Sequence, residues 1–156
     1  MTTMEKQLQL LLDERDIQRL LNRFDRTTNL RDIEGFAQLW TEDAVWEISK
    51  PIPSRAHGRE NIIKMLGGLF EPLDFFFRTT QSPLIEFHSD HSASSIAETI
   101  ELARMEDGKS YGNVAFYKDE FRKVHDQWLF SARHYEYIWV ETELPLPGTS
   151  ITRRKD

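Results

Sequence analysis

The sequence predicts an α+β fold: three N-terminal helices packed on the concave face of a curved, mainly antiparallel sheet. Three observations carry that prediction. Apolar residues recur at helical spacing through the first half, long β-rich runs joined by short turns fill the second, and strand–helix–strand alternation is absent.

In the first segment Leu10, Ile17, Leu20, Leu21 and Phe24 form one stripe between charged residues, which predicts a helix from about Leu8 to Thr28. Asp32 is placed to cap a short second helix that buries Ile33, Phe36, Ala37 and Trp40 on one side. TEDAVWEIS then reads as a turn into a brief strand, because Val45, Trp46 and Ile48 are β-branched or aromatic. The following KPIPSRAHG is broken by two prolines. Gly58 precedes a third helix, RENIIKMLGGLF, with Ile62, Ile63, Leu66, Leu69 and Phe70 on one face. Beyond it, FFFRTTQSPLIEFH, SASSIAETIELARM, SYGNVAFYKDEFRKV and QWLFSARHYEYIWVE read as a meander of four long strands, separated by HSDH, EDGK and HDQ turns. Residues 1–142 are expected to form one domain and 143–156 a partly flexible tail, ordered only where it packs on a partner.

The chain has 156 residues and a mass of 18.4 kDa, enough for one full core without staples. It has no cysteine, which excludes disulfides, thiolate nucleophiles and sulfur-ligated clusters. A net charge of -6 argues against nucleic acid as a partner. The N-terminus lacks the basic start and apolar core of a signal peptide, and no apolar run reaches membrane-spanning length, so no membrane partner is expected and the expected location is cytoplasmic.

Motif reading removes several chemistries. His88, Asp90 and His91 lie in a hairpin turn and fall short of three or four converging ligands, so no metal is expected. Asp107-Gly108-Lys109-Ser110 lacks the first glycine of a phosphate loop and joins two strands. Dinucleotide, hydrolase-elbow and metalloprotease motifs do not occur.

Polar residues within β-rich runs are the remaining candidates. Glu98 shares a face with Ile96, Ile100 and Leu102; pointing inward it is a carboxylate in apolar surroundings, suited to general acid–base work. The alternative turns that face outward toward a dimer partner, with Glu98 hydrated at the rim. In the last strand either His134 or Arg133 must point inward, and His134 is the candidate proton shuttle or a structural surface histidine. Arg78 lies between Phe75-Phe76-Phe77 and Thr79-Thr80, as an oxyanion-stabilising cation or an edge-strand arginine with a solvated head. Phe24, Trp40, Trp46, Tyr117, Tyr135, Tyr137 and Trp139 line a cavity for a planar or polycyclic ligand, or simply pack the core.

The succession RFDRTTNLRDIEGFAQLWTEDAVWEI, then HGREN opening a helix, then KDEFRKVHDQWLFSARHY, resembles the SnoaL-like branch of the nuclear-transport-factor-2-like, cystatin-like superfamily over about residues 10–140. The resemblance implies a cone-shaped α+β domain, but one that hosts isomerases, dehydratases, cyclases, dehydrochlorinases and noncatalytic domains alike. Against the ketosteroid isomerases this chain has Phe24 in place of an oxyanion-hole tyrosine and Ile48 in place of the proton-abstracting aspartate. Against the dehydratases it has Asn29 for an aspartate and Arg78 near the position of a histidine. Tyr117 and Asp119 fall where the family's third meander strand lines the cavity, although Asp119 is also placed to pair with Arg133.

The combined expectation is a lyase or isomerase without metal or organic cofactor, acting on a small hydrophobic, cyclic, oxygenated substrate. In that scheme His134 or Glu98 moves the proton, and Arg78, Asn29 and Tyr117 steady the oxyanion, within a pocket formed by Phe24, Trp40, Trp46, Ile48, Asp119 and Tyr135. Two rivals are a noncatalytic ligand-binding domain with decayed sites and a subunit whose sheet pairs with another copy, giving a homodimer or higher homo-oligomer.

Overall fold

The computed structural model describes residues 2–81 and 83–149. Helix α1 (Thr3–Leu30) begins earlier than the apolar stripe, because Thr2 and Glu5 form a reciprocal capping box that satisfies free N–H groups of the first turn. It stops at Arg31, whose left-handed backbone (φ 57°) turns its N–H back onto the carbonyls of Thr27 and Thr28. Asp32 caps α2 (Ile33–Ala37), accepting the Gly35 N–H at 2.9 Å. Trp40, expected on the buried side of α2, instead opens strand β1 (Trp40–Ile48). The proline-broken segment yields a strand the sequence reading lacked, β2 (Ser54–His57), which pairs antiparallel with β1. Both prolines precede it, so neither removes a donor from the ladder. Helix α3 (Arg59–Phe70) follows as expected.

The first of the four expected β runs divides into β3 (Leu73–Thr80) and β4 (Leu84–Ser89), both paired with β5 (Ser92–Met105), β3 toward its C-terminal end and β4 toward its start. Strands β6 (Ser110–Val124) and β7 (Gln127–Glu141) complete the sheet in the order β2-β1-β7-β6-β5-β3. Every pairing is antiparallel except β1 with β7.

Helix α1 covers the edge of β3 through side chains one helical turn apart. Asn29 donates to the Arg78 carbonyl (2.9 Å) and accepts the Arg78 N–H (2.8 Å), while Asp25 accepts both the N–H and the hydroxyl of Thr80 (2.7 and 2.9 Å). An edge that would otherwise expose unpaired backbone groups is thereby closed. About three turns into α1, Asp13 accepts from the Trp128 indole (3.0 Å) and pairs with Lys123 (2.6 Å), pinning the helix to the β6–β7 hairpin.

The core sits between the helices and the concave face of the sheet. Phe24 is its hub, with the rings of Phe36, Trp40, Trp46, Tyr117 and Phe130 at centroid distances of 5.5–6.0 Å, mostly edge-on. The other sheet face stays open, with Ile96, Ile100, Ile138 and Trp139 exposed on it. The tail returns along that outer face: Ser110 Oγ bonds the Leu144 carbonyl, and Arg104 donates to the carbonyls of Leu146 and Gly148. Of the tail expected over 143–156, residues up to 149 pack on the chain's own sheet and not on a partner, and 150–156 lie outside the described residues.

Removing the clasp on β3 is expected to be felt throughout. Asn29→Ala should lower unfolding stability by about 1–3 kcal/mol in urea titration, and Asn29→Asp should also destabilise because a carboxylate cannot donate to the Arg78 carbonyl. Asp13 adds a pH dependence. Burial raises its pKa, but the bonds from Lys123 and Trp128 outweigh that and hold it below the ordinary 3.8. Its stabilisation is present above pH 3.8 and fades as pH falls through the lower folded value. Thermal melts of Asp13→Asn across that acid range should show a weaker fall in midpoint than the unsubstituted chain.

Candidate functional site

Between α3 and the inner faces of β1, β3, β5, β6 and β7 lies a cavity of about 60 Å³. Cavities near 150 Å³ hold a benzene ring (~150 Å³), so the enclosed part takes a few waters or part of a ring. Leu66, Leu69, Phe70, Leu73, Phe76 and Ile48 make the apolar wall; Leu69, Phe76, Tyr111 and Tyr137 reach solvent and form the mouth.

The polar wall is built on a cross-strand pair. Arg78 of β3 stands opposite Glu101 of β5 in the ladder, and its Nη2 donates to Glu101 Oε1, with both residues buried (5% and 6% exposed). Asn113, opposite Glu101 on β6, directs its Nδ2 toward Glu101 Oε2 at 3.4 Å. Around them stand Tyr111, Tyr117, Tyr135, Tyr137 and Trp46. The hydroxyl of Tyr117, the indole N–H of Trp46 and Asn113 Oδ1 are buried without a hydrogen-bond partner, and the Tyr135 hydroxyl approaches Asn113 without closing a well-aligned bond. Buried polar atoms of this kind are unusual and suit a ligand that completes them. Burial pushes the Tyr135 and Tyr111 phenols upward and that of Tyr137 to about 12, so these three remain neutral hydrogen-bond donors at physiological pH.

A second pair lies deeper. Arg133 donates to both carboxylate oxygens of Asp119 (2.7 and 3.0 Å), and Ser95 adds a long contact at 3.4 Å. Burial pushes the Asp119 carboxyl above its usual range, and the bidentate Arg133 opposes that push. The two guanidinium groups share the same aromatic supports. Arg78 lies 4.8 Å from the Phe24 ring and 5.2 Å from the Tyr117 ring, and Arg133 lies 4.0 and 3.7 Å from them.

Of the sequence candidates, Arg78, Trp46, Ile48, Tyr117 and Tyr135 line the cavity. Phe24 and Trp40 are core residues behind it, and Asp119 is buried against Arg133 rather than facing it. Asn29 is occupied with the Arg78 backbone and borders an external groove between α1 and β3. Glu98 corrects the inward placement: it is exposed on the outer face with Ile96 and Ile100. The tightly curved inner face takes the small residues Ala93, Ala97 and Ala103 and leaves the larger apolar side chains outside, so the more hydrophobic face is not the buried one. His134 is likewise outside and half exposed, 3.9 Å from Glu47. The reason is a bulge in β7. Phe121 pairs with Phe130 but Glu120 with Ala132, so inward residues are even-numbered before the irregularity (Trp128, Phe130) and odd-numbered after it (Arg133, Tyr135, Tyr137), until a second shift, where Ala115 pairs with Tyr137 but Val114 with Trp139, turns Trp139 outward.

Glu101, Asn113 and Tyr111 were missed. Their signal was present: Glu101 shares parity with the alanines of β5, and Tyr111 and Asn113 share parity with Tyr117 on β6.

Residues 9–134 match the family model described as a SnoaL-like domain. Among solved structures, a hexachlorocyclohexane dehydrochlorinase (LinA) type 2 superposes with a TM-score of 0.84 at 18% identity, over 93% of this chain and 98% of that one. The type 3 enzyme from Novosphingobium barchaimii superposes at 0.80 with 19% identity, over 86% and 92%. An NTF2-like protein with a cystatin-like fold from Novosphingobium aromaticivorans does so at 0.77 with 20% identity, over 88% and 90%. The search of curated proteins finds no match.

Because Glu98 and His134 lie on the outer face, away from the buried core, Glu98→Gln and His134→Ala are expected to leave the unfolding midpoint nearly unchanged. Arg133→Met strands the Asp119 charge and should lower stability by about 3–5 kcal/mol; chemical denaturation of the three variants side by side checks both statements.

Proposed function

Since the chain belongs to the SnoaL-like domain family, we propose that it is a small-molecule lyase or isomerase of the dehydratase or cyclase type, acting on a hydrophobic cyclic substrate by acid–base chemistry of its own side chains. The observation that carries this reading is Glu101, a buried carboxylate at an aromatic cavity where Trp46 Nε1 and the Tyr117 and Tyr135 hydroxyls have no hydrogen-bond partner among the described residues. The dehydrochlorinases among the structural neighbours carry, by their name, an elimination from a ring, and support the reaction class by fold alone.

In the proposed step Glu101 takes a proton from the carbon beside a ring carbonyl. The C–H electron pair moves into the ring, and the carbonyl oxygen gains negative charge where the Tyr117 and Tyr135 hydroxyls and the Trp46 N–H can meet it. Return of the proton to another carbon completes an isomerisation; departure of a β-hydroxyl as water, with that proton, completes a dehydration. Arg78 holds the carboxylate in place and balances its charge. Asn29, by fixing the Arg78 backbone, acts as a positioning residue rather than touching substrate.

Self-association belongs to the proposal as well. The exposed Ile96, Ile100, Ile138 and Trp139 support pairing through the outer sheet face, and native mass measurement should give a multiple of 18.4 kDa.

The test of catalysis is proton exchange beside the carbonyl, followed by NMR in deuterated water, for a panel of cyclic ketones and β-hydroxyketones. Exchange or elimination by the unsubstituted protein, reduced about 100-fold or more in Glu101→Gln, is the expected result. Binding of the panel without exchange or elimination would overturn catalysis and leave a noncatalytic binding domain.

A further inference from the structure

We propose that Glu101 sets the charge of the ligand, so that the cavity takes a neutral ring bearing a carbonyl or hydroxyl oxygen and rejects the matching carboxylate; this rests on reading the cavity as the substrate site. Arg78, Glu101, Asp119 and Arg133 are all at most 6% exposed, and they form two cation–carboxylate pairs that cancel. Neither guanidinium is left with a charge for a ligand to neutralise. The Arg78 atoms not bonded to Glu101, Nε and Nη1, lie among the rings of Phe24, Phe76 and Tyr117, which meet the cation with their faces. An anionic ligand would therefore enter as an uncompensated charge beside the Glu101 carboxylate, in a site walled by apolar side chains.

The unpartnered atoms at the cavity ask for something else. Trp46 Nε1 and the hydroxyls of Tyr117 and Tyr135 are neutral donors, and Asn113 Oδ1 is a neutral acceptor. Together they suit a carbonyl oxygen, or a hydroxyl that both gives and receives a hydrogen bond. Leu66, Leu69, Phe70 and Phe76 supply the apolar surface for the rest of the ring, part of which must lie in the mouth because the enclosed volume is about 60 Å³.

Benzamide and benzoate share a shape and differ by one charge, which makes them the probes. Titration of the unsubstituted protein at neutral pH, followed by NMR shift changes, should show benzamide binding at least about tenfold tighter than benzoate. In Glu101→Gln, where Arg78 loses its partner, benzoate should gain about tenfold or more while benzamide changes little. The comparison on the unsubstituted protein stands even if the variant does not fold. Benzoate binding as tightly as benzamide overturns the assignment whatever the turnover, and so does a folded Glu101→Gln without the gain. Benzamide preferred but no ketone exchanged would remove catalysis and leave the charge assignment standing. Binding of neither compound overturns both.

Discussion

Four buried charges around one pair of rings constrain this domain more than any other feature. Phe24 from α1 and Tyr117 from β6 stand edge to face, 5.8 Å apart, and the guanidinium groups of Arg78 and Arg133 both stack against them. Buried arginine stays protonated, so each needs its own carboxylate; Glu101 and Asp119 answer from inward positions of β5 and β6. That requirement fixes the relative register of β3, β5, β6 and β7. A one-residue slip in any of them would put a charge against an aromatic wall with no counterion.

The helices serve this arrangement. By occupying the backbone of Arg78 and Thr80 with Asn29 and Asp25, α1 holds the strand that carries the cavity's cation, and in its N-terminal half Asp13 holds the hairpin leading into β7. Arg31, just past the end of α1, donates to the carbonyls of Phe70 and Leu73 and so ties the same helix to α3 and the start of β3. Backbone positioning, aromatic support and charge balance thus meet at one residue, Arg78. Asn29 itself is a structural contact one layer behind the cavity, spent on the Arg78 backbone.

Such an interior is permissive about chemistry and selective about charge. Tyr111, Tyr135 and Tyr137 are neutral donors because burial disfavours their phenolates. Its carboxylate is held by an arginine that also faces the rings. Few atoms need to differ between a site that only binds and one that moves a proton, which is why one fold hosts both.

Composition, spacing and turn chemistry determined the class of fold, the three helices, the Asp32 cap and the long strands of the second half, because those features arise from local periodicity and local hydrogen bonds. The same reading reached Arg78, Trp46, Tyr117 and Tyr135, large or charged residues that are conspicuous in any β run. Which face of each strand lines the cavity was decided only by the tertiary structure. Curvature put the alanines of β5 inside and its isoleucines outside, exchanging Glu98 for Glu101, and one bulge in β7 exchanged His134 for Arg133. Both effects act over strands that pair at long range: inward and outward differ by one residue, and the choice rests on neighbours that a single strand does not contain.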